Sequence, residues 1–338
     1  MIAASGSRIG WHDLPPRVRA AVEEIIGGHV TSADSQTGGF SPGTADRVRT
    51  SSGRRAFVKA VSPAQNEHSV RLARREAAIT AALPANAPVP RLLGTYDEST
   101  YDEAATGWIA LVFEDIDGRQ PRTPWVDQEL AAAVTALRQL AHALTPSPLA
   151  DVPTAADSLR SDFAGWHNLA ADPPDDLDPW ATAQLTQLRA AADRGLAAIG
   201  TGDTLTHCDI RADNLLVRPD GSFVIVDWPW ACTGPAWLDR VLLGLNVIVH
   251  GGSPERAFAG VDLAICVDVL AGIAGFFLDV ARRPDPPGLP TVRAFQRAQG
   301  DALLPWLRAN LDPGRQHMRH ATAMGAAAHR RGPGAAGH

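Results

Sequence analysis

Residues 204–228 read TLTHCDIRADNLLVRPDGSFVIVDW, and this stretch decides the fold. Two short apolar runs, residues 215–217 and 223–226, are separated by Arg-Pro-Asp-Gly, which is turn chemistry between strands. The pattern predicts a β-hairpin. If Val217 pairs opposite Ser222, then Asn214 and Asp227 lie near each other at the open end of the hairpin.

A third oxygen-bearing side chain can join these two. Asp209 lies five residues before Asn214, on the loop that enters the same end of the hairpin. One Asn and two Asp side chains around one point suit a hard cation such as Mg2+, which takes few protein oxygens and leaves room for phosphate. The stretch therefore predicts a Mg2+ site.

The overall composition is that of a globular protein. The chain has 338 residues, of which 45% are hydrophobic and 20% charged, enough for two lobes with sizeable cores. Its formal net charge of −6 gives no electrostatic reason to expect nucleic acid or an anionic membrane as a partner.

We expect a cytoplasmic protein. Residues 1–10 contain no apolar run of signal-peptide length, and the most apolar segment, residues 269–278, is too short to span a membrane. Three cysteines far apart in the sequence, Cys208, Cys232 and Cys266, suggest neither a zinc site nor a disulfide framework.

The chain contains a single lysine, Lys59, beside 30 arginines. A GC-rich genome explains the preference for arginine but not the exception. A position that keeps lysine under this bias is one where a compact ammonium serves better than a planar guanidinium. Lys59 lies in a β-type run, residues 56–61, whose alternation places Phe57, Lys59 and Val61 on one face.

A carboxylate is available to pair with this lysine. Glu76 falls on the apolar stripe of a helical segment, residues 65–83, where a carboxylate is costly unless it is paired. Each residue alone also fits a surface charge that reaches solvent. Together, an inward-facing lysine and an inward-facing glutamate favour a Lys59–Glu76 pair.

A glycine-rich turn precedes Lys59. Residues 37–43 read Thr-Gly-Gly-Phe-Ser-Pro-Gly and separate two probable strands. Backbone N–H groups in such a turn can approach phosphates, but an ordinary hairpin loop fits the same sequence equally well.

The rest of the chain divides into a strand-rich and a helical part. A lead-in helix at residues 14–27 precedes strands, the last two of them at residues 88–95 and 108–113, and residues 114–118 resemble an interlobe linker. Helical periodicity then dominates, strongest at residues 128–144, and further helices are predicted over residues 237–249, 258–282 and 292–311. An acidic loop at residues 171–179 is interpreted as a solvated connection, although it could also attract a cationic substrate.

The last residues, 313–338, lack periodicity and are predicted to be a disordered tail. His317 and His320 in this segment could bind a metal adventitiously, but they do not predict a functional metal site.

These motifs together resemble the aminoglycoside phosphotransferase family of small-molecule kinases, which is related to choline and homoserine kinases. The resemblance rests on His207-x-Asp209-x-x-x-x-Asn214 followed by Asp227-Trp228, with Lys59 and Glu76 upstream. It covers about residues 20–312 and implies an α+β, protein-kinase-like two-lobe fold. The N-lobe, residues 1–113, would carry a small antiparallel sheet and one key helix. The C-lobe, residues 119–312, would be mainly helical and carry the catalytic hairpin.

The resemblance also implies an activity, namely ATP- or GTP-dependent transfer of the γ-phosphoryl group to a hydroxyl of a small molecule. Asp209 would be the catalytic base, and Asn214 and Asp227 would hold Mg2+. Lys59 would contact the phosphates, held in place by Glu76.

The family pattern assigns further residues to support and nucleotide binding. His207 and Asp239 would support the catalytic loop. The remaining nucleotide-binding residues form the glycine-rich flap and the hinge that meets adenine, and they are Gly38, Gly39, Phe40, Ser41, Glu114, Asp115 and Ile116.

Departures from the family pattern indicate which kind of acceptor is expected. Cys208 occupies a position often taken by glycine, and Pro229 replaces the glycine that protein kinases carry after the metal-binding Asp and its aromatic neighbour. Asp213 is expected to be a loop carboxylate rather than a metal ligand. No activation loop is expected, which favours a small-molecule acceptor over a protein acceptor. The alternative reading is a nucleotide-binding regulatory pseudokinase without transfer activity.

Overall fold

The computed structural model describes residues 8–36, 42–100 and 107–311. The predicted flap residues Gly38, Gly39, Phe40 and Ser41 and the predicted tail at residues 313–338 lie outside these ranges. The expected α+β class is confirmed, with an antiparallel sheet in the N-terminal region and a helical C-terminal region.

The N-terminal region is built on one five-stranded antiparallel sheet in the order β1-β2-β3-β5-β4. The strands are β1 (Val30–Ser35), β2 (Thr44–Thr50), β3 (Arg55–Val61), β4 (Leu92–Asp97) and β5 (Ile109–Glu114). β3 and β5 are central because their residues are apolar on nearly every position, whereas β1 at the edge exposes most of its polar side chains.

Helices cover both faces of this sheet. α1 (Pro16–Ile26) packs Val18, Val22 and Ile26 on one face, where Val58 of β3 is fully buried. α2 (Pro63–Ala82) packs on the other face, against Phe113 of β5 and its neighbours. The alternation along β3 therefore turns Lys59 toward α2, as predicted.

α2 is interrupted near its start. Asn66 has extended backbone angles, φ −171° and ψ 114°. Its side-chain oxygen accepts a hydrogen bond from the backbone N–H of Ser69 at 2.9 Å, which caps the continuous part of the helix.

The C-terminal region is a set of helices around a second, larger core. The helices are α3 (Asp127–Ala143), α4 (Ala155–Phe163), α5 (Gly165–Ala171), α6 (Pro179–Ala183), α7 (Leu185–Ile199), α8 (Leu238–Val249), α9 (Glu255–Phe258), α10 (Leu263–Val280) and α11 (Val292–Asn310).

α10 lies at the centre of this core and packs against α4, α5, α7 and α11. Glycine permits the close approach of α7, because a Cβ added at Gly195 would stand 2.6 Å from the carbonyl oxygen of Asp268. Among the described residues, α10 is the one helix that is long and apolar enough to cross a membrane, with a mean hydropathy of 2.2 and 61% of it buried inside the protein. A core helix of a globular protein has the same properties.

Two short antiparallel pairs carry the central stretch of sequence. β6 (Thr204–Thr206) pairs with β9 (Cys232–Gly234), and β7 (Leu215–Val217) pairs with β8 (Phe223–Ile225). The predicted hairpin is present, but its register is one residue from the predicted one, because Val217 faces Phe223 rather than Ser222. The turn contains Gly221 at φ 82°, which accommodates the extra residue.

Several predicted element boundaries were wrong for identifiable reasons. The strand predicted from residue 88 begins only at Leu92, because Pro88 and Pro90 cannot donate ladder hydrogen bonds. The helix predicted over residues 258–282 is two helices. Gly260, at φ 82°, ends the first, and Asp262 caps the second by accepting from the backbone N–H of Ala264 at 2.9 Å.

Candidate active site

A cavity of about 1500 Å3 lies between the sheet and the helical region. Its walls include all the predicted site residues that the structure describes except His207 and Asp239. The wall residues among them are Lys59, Glu76, Glu114, Asp115, Ile116, Asp209, Asn214 and Asp227.

Lys59 joins the two regions of the protein. Its Nζ lies 2.8 and 2.9 Å from the two carboxylate oxygens of Glu76 on α2, and 2.6 Å from Oδ1 of Asp227 after β8. The backbone N–H of Trp228 also points at Glu76 Oε1, at 3.4 Å. The predicted Lys59–Glu76 pair is therefore present, and Asp227 is a second partner.

The charges in this group stabilise one another. Burial opposes the charge of Lys59, but Asp227 and Glu76 outweigh it and raise the pKa of its ammonium. Burial opposes the charge of Asp227 too, and there Lys59 outweighs it and lowers the pKa. Burial raises the pKa of Glu76, whose side chain is only 6% exposed. Lys59 is thus a fixed positive charge at the cavity wall.

The loop between β6 and β7 is held from behind by Asp239, near the start of α8. One carboxylate oxygen of Asp239 accepts from the backbone N–H of His207 at 2.9 Å, and the other accepts from that of Cys208 at 3.0 Å. His207 is fully buried, and its ring packs edge-on against Trp228 with 4.8 Å between centroids.

His207 connects the loop to the hairpin. Its Nδ1 accepts from the backbone N–H of Asp209 at 3.2 Å, so Nε2 carries the proton and donates to the Val226 carbonyl at 2.9 Å. Burial lowers the pKa of His207, which keeps the ring neutral and the tautomer fixed.

Two residues of the site adopt the left-handed backbone conformation. Cys208 has φ 63° and Asp227 has φ 71°, which is costly for residues other than glycine. The value at Cys208 is one that glycine would adopt without this cost. At Asp227 the surrounding contacts with Lys59 hold the strained conformation and turn the carboxylate into the cavity.

The two residues expected to bind a metal lie on paired chain segments. The Asn214 backbone carbonyl accepts from Val226 N–H at 3.0 Å, so Asn214 and Asp227 stand on neighbouring chain segments. Asn214 Nδ2 donates to the backbone oxygen of Asp209 at 2.8 Å and to its Oδ2 at 3.0 Å, which turns Asn214 Oδ1 the other way.

This donor set fits Mg2+. No described residue donates a hydrogen bond to Asn214 Oδ1 or to Asp227 Oδ2. The described residues also contain no cluster of three or more His, Cys, Asp or Glu side chains arranged for a metal. A site with two protein oxygens is what Mg2+ uses when phosphates and water complete its shell.

Sequence reasoning missed Arg211, which lies between two carboxylates. Its Nη1 lies 2.9 and 3.0 Å from the two oxygens of Asp209, and its Nε and Nη2 each lie 3.0 Å from Asp213. Asp213 is therefore paired, consistent with its expected role as a loop carboxylate. Nothing distinguished Arg211 among 30 arginines except its position two residues from each aspartate.

The environment of Asp209 favours its acting as a base near neutral pH. Burial, with smaller contributions from Asp213 and Asp227, raises the pKa of Asp209 to about 7 against the opposing charge of Arg211.

A second contact was not expected from the sequence. The Sγ atoms of Cys208 and Cys232 lie 2.6 Å apart because β6 pairs with β9, although the two residues are distant in the chain. The hydrogen bond between them raises the pKa of Cys208 and lowers that of Cys232. Cys266 is buried elsewhere and has a pKa raised by burial to about 12.

Two of the predicted hinge residues, Glu114 and Asp115, have side chains already paired with arginines. The Asp115 carboxylate is held by Arg55, with Nε at 2.7 Å, and Arg47 donates to the Ile116 carbonyl at 3.2 Å. Glu114 is the last residue of β5 and pairs with Arg91. The backbone N–H of Ile116 donates to no described residue, and Ile116 lines the cavity.

Comparison with known families decides the relationship. Residues 38–266, more than half of the chain, match the model of the family described as APH, phosphotransferase enzyme family. The chain belongs to this family. Comparison with the sequences of curated proteins finds no match.

Solved structures share the fold at low sequence identity. An aminoglycoside phosphotransferase from Alicyclobacillus acidocaldarius is 17% identical with a TM-score of 0.53, over 88% of this chain and 96% of that chain. A thermostable mutant of aminoglycoside phosphotransferase APH(4)-Ia, in a ternary complex with ADP and hygromycin B, is 14% identical with a TM-score of 0.56, over 86% and 98%.

A choline kinase from Streptococcus pneumoniae is 12% identical with a TM-score of 0.56, over 85% of this chain and 97% of that chain. These likenesses establish the kinase-like fold.

Proposed function

We propose that this protein is an ATP-dependent phosphotransferase that moves the γ-phosphoryl group to a hydroxyl of a small molecule. The observation that carries the proposal is the convergence of Lys59, Glu76, Asp209, Asn214 and Asp227 on one cavity in a chain of the phosphotransferase family. A nucleotide-binding protein without transfer activity would not need Asp209. The structural neighbours include an enzyme bound to ADP and hygromycin B, and a choline kinase.

The nucleotide would lie along the sheet side of the cavity. Lys59 would contact its phosphates as a compact cation, and the hydrogen bonds that Lys59 donates to both carboxylate oxygens of Glu76 fix the position of that charge. The backbone at Glu114, Asp115 and Ile116 would meet the base. The glycine-rich turn with Gly38, Gly39, Phe40 and Ser41 remains a prediction for the phosphate side.

Asn214 and Asp227 would hold Mg2+. The ion, when bound, neutralises charge on the phosphates during transfer. The Lys59–Asp227 hydrogen bond of 2.6 Å would then lengthen, because Mg2+ and the ammonium of Lys59 would compete for the same carboxylate.

Asp209 would orient the acceptor hydroxyl and accept its proton. Its carboxylate is held by Asn214 Nδ2 and Arg211, and its backbone by His207, so little reorganisation is needed. Arg211 also balances the negative charge that would otherwise repel the phosphates. His207 and Asp239 would act as supports of this loop.

The remaining expectations stay proposals. Among them is the division into an N-lobe at residues 1–113, a hinge at 114–118 and a C-lobe at 119–312, in which the site would lie at the junction. We further propose that the protein works in the cytoplasm on a nucleotide and a small-molecule acceptor, with no nucleic acid or membrane partner.

The test is a coupled ADP-release screen of the purified protein with Mg-ATP. The panel contains aminoglycosides, macrolides, choline, homoserine and sugars. Acceptor-dependent ADP release from any class supports transfer. Silence across the panel, combined with no ATP-induced rise in melting temperature, would contradict the proposal.

A further inference from the structure

The part of the cavity away from the sheet is bounded by apolar side chains. Ile273, Phe276 and Phe277 of α10 line it and are only partly buried, although α10 is otherwise a core helix. Val292 and Phe295 of α11 line it as well and are also partly buried. An exposed apolar surface of this kind inside a cavity is typical of a ligand site.

This apolar wall reaches the catalytic loop. The ring of Phe295 lies 6.0 Å from the guanidinium carbon of Arg211, and Arg211 binds Asp209. A molecule that packs on the wall therefore has one end near Asp209, where a hydroxyl is needed.

A loop encloses the wall from the side of the N-terminal region. The connection between α10 and α11 reaches α2, where Asn66 Nδ2 donates to the carbonyl of Pro287 at 3.2 Å. Pro286 and Leu289 of the same loop line the cavity. The ligand surface facing Pro286 and Leu289 would be removed from water, which increases the contribution of apolar contacts to the free energy of binding.

Four carboxylates that line the cavity near the catalytic loop are already paired. Glu76 and Asp227 bind Lys59, and Asp209 and Asp213 bind Arg211. These groups are not free to select a cationic acceptor.

Asp162, at the end of α4, is different. It lines the cavity, and no described residue forms an ion pair with it. Ser161 Oγ donates a hydrogen bond to Asp162 Oδ1, but the distance between these atoms is long, at 3.4 Å. The charge of Arg283 lowers the pKa of Asp162, but Arg283 forms its ion pair with Asp279, at 2.7 Å. Burial raises the pKa of Asp162 to about 6, the response of a carboxylate that lacks a close cation.

We propose that the acceptor is a hydroxylated molecule with a largely apolar body and a single amine. The apolar body would pack on the partly exposed faces of α10 and α11, and the amine would bind Asp162. This inference rests on the proposed function and narrows its acceptor. A polycationic acceptor would place ammonium groups against Ile273, Phe276 and Phe277, where they would have no partners. No hydrogen bond or ion pair would then offset the hydration free energy that these ammonium groups lose.

Two matched series of small alcohols test the proposal on the full chain. The first series is 2-(alkylamino)ethanols with alkyl chains of increasing length, and the second is the 2-alkoxyethanols, in which oxygen replaces the amine. Binding is measured by calorimetry at pH 7.5 in the presence of Mg2+ and a non-hydrolysable ATP analogue. ADP release with ATP is measured separately for each compound.

We expect affinity to rise with each added methylene by about two- to fourfold, since full burial of a methylene corresponds to about fourfold. At equal length the amine series should bind about tenfold more tightly than the ether series. Asp162→Asn should remove that preference while leaving the ether series unchanged. Asp157→Asn is the matched control on the same helix, because Arg160 already pairs with Asp157 at 2.9 Å.

Phe276→Ala tests the wall. It should flatten the dependence on chain length in both series while leaving affinity for the ATP analogue unchanged. Thermal unfolding of each variant shows whether the fold is kept. Phe276 is suitable for truncation because it is only partly buried, so its removal should disturb the core little.

Affinity independent of chain length would overturn the apolar part of the proposal. An amine preference that survives Asp162→Asn, or tighter binding of hygromycin B than of the longest aminoalcohol, would overturn the single-amine part. If binding follows the expected pattern but neither these compounds nor the acceptor panel releases ADP, the acceptor class stands and the phosphotransferase function fails.

Discussion

At the scale of single residues, Lys59 shows what sequence alone can reveal. One lysine among 30 arginines, on the inward face of a strand, predicted a partner carboxylate, and Glu76 lies 2.8 Å away. Asp227 as its second partner was not predicted, because the contact joins residues from two regions of the fold. Arg211 was missed for a related reason, since an arginine carries no signal in a chain rich in arginine.

Lys59→Arg should lower kcat/KM for ATP by about tenfold or more. The guanidinium is planar and longer than an ammonium, so it cannot keep the short contacts to Glu76 and Asp227 simultaneously. Initial rates at varied ATP concentration measure the effect.

Arg49→Lys, at an exposed position of β2, is the control for the charge-conserving exchange and should leave kcat/KM unchanged. Wild-type kinetics in Lys59→Arg would contradict the role of Lys59.

At the scale of elements, the hairpin was predictable from its turn chemistry and the helices from their periodicity. The register of the hairpin was wrong by one residue because the length of the turn, which Gly221 permits, is not fixed by composition. The predicted helices were too long where a cap such as Asp262 interrupts an apolar pattern that continues past it. The pairing of β6 with β9, and hence the Cys208–Cys232 contact, is a long-range feature without a local signal.

Asp239→Asn should destabilise the protein and the catalytic loop together. An asparagine retains one acceptor oxygen, so one of the two buried N–H groups, of His207 or Cys208, is left facing an amide NH2. The expected cost is about 1–3 kcal/mol in the free energy of unfolding, with a lower kcat. Urea unfolding and initial rates measure the two effects.

Asp220→Asn provides the comparison. Asp220 also accepts a backbone N–H, that of Ser222, but in an exposed turn, so the change should cost less than about 0.5 kcal/mol. Equal effects of the two variants would show that Asp239 has no special role in the loop.

At the scale of the whole molecule, the sequence predicted the fold class but not the shape of the cavity. The order of motifs indicates two regions and a site between them, whereas the apolar wall of α10 and α11 depends on how helices distant in sequence pack. The boundaries at residues 113 and 118 remain predictions. The shape and polarity of the cavity that would select the acceptor therefore depend on tertiary packing rather than on any motif.

Mg-ATP should stabilise the whole molecule, because its site spans both regions. At an ATP concentration about 100 times Kd the expected gain is about 2.7 kcal/mol, seen as a rise of a few degrees in Tm. EDTA should reduce the rise, and Asp227→Asn should reduce it while removing its dependence on Mg2+. A rise that is the same with and without Mg2+ would contradict the metal assignment to Asn214 and Asp227.

The central claim is phosphoryl transfer with Asp209 as the base, and turnover of Asp209→Asn measured together with its ATP affinity tests it most directly. With the best acceptor from the screen, transfer should fall by about a hundredfold or more while ATP affinity stays close to that of the wild type. Comparable turnover in the variant and the wild type would contradict the claim.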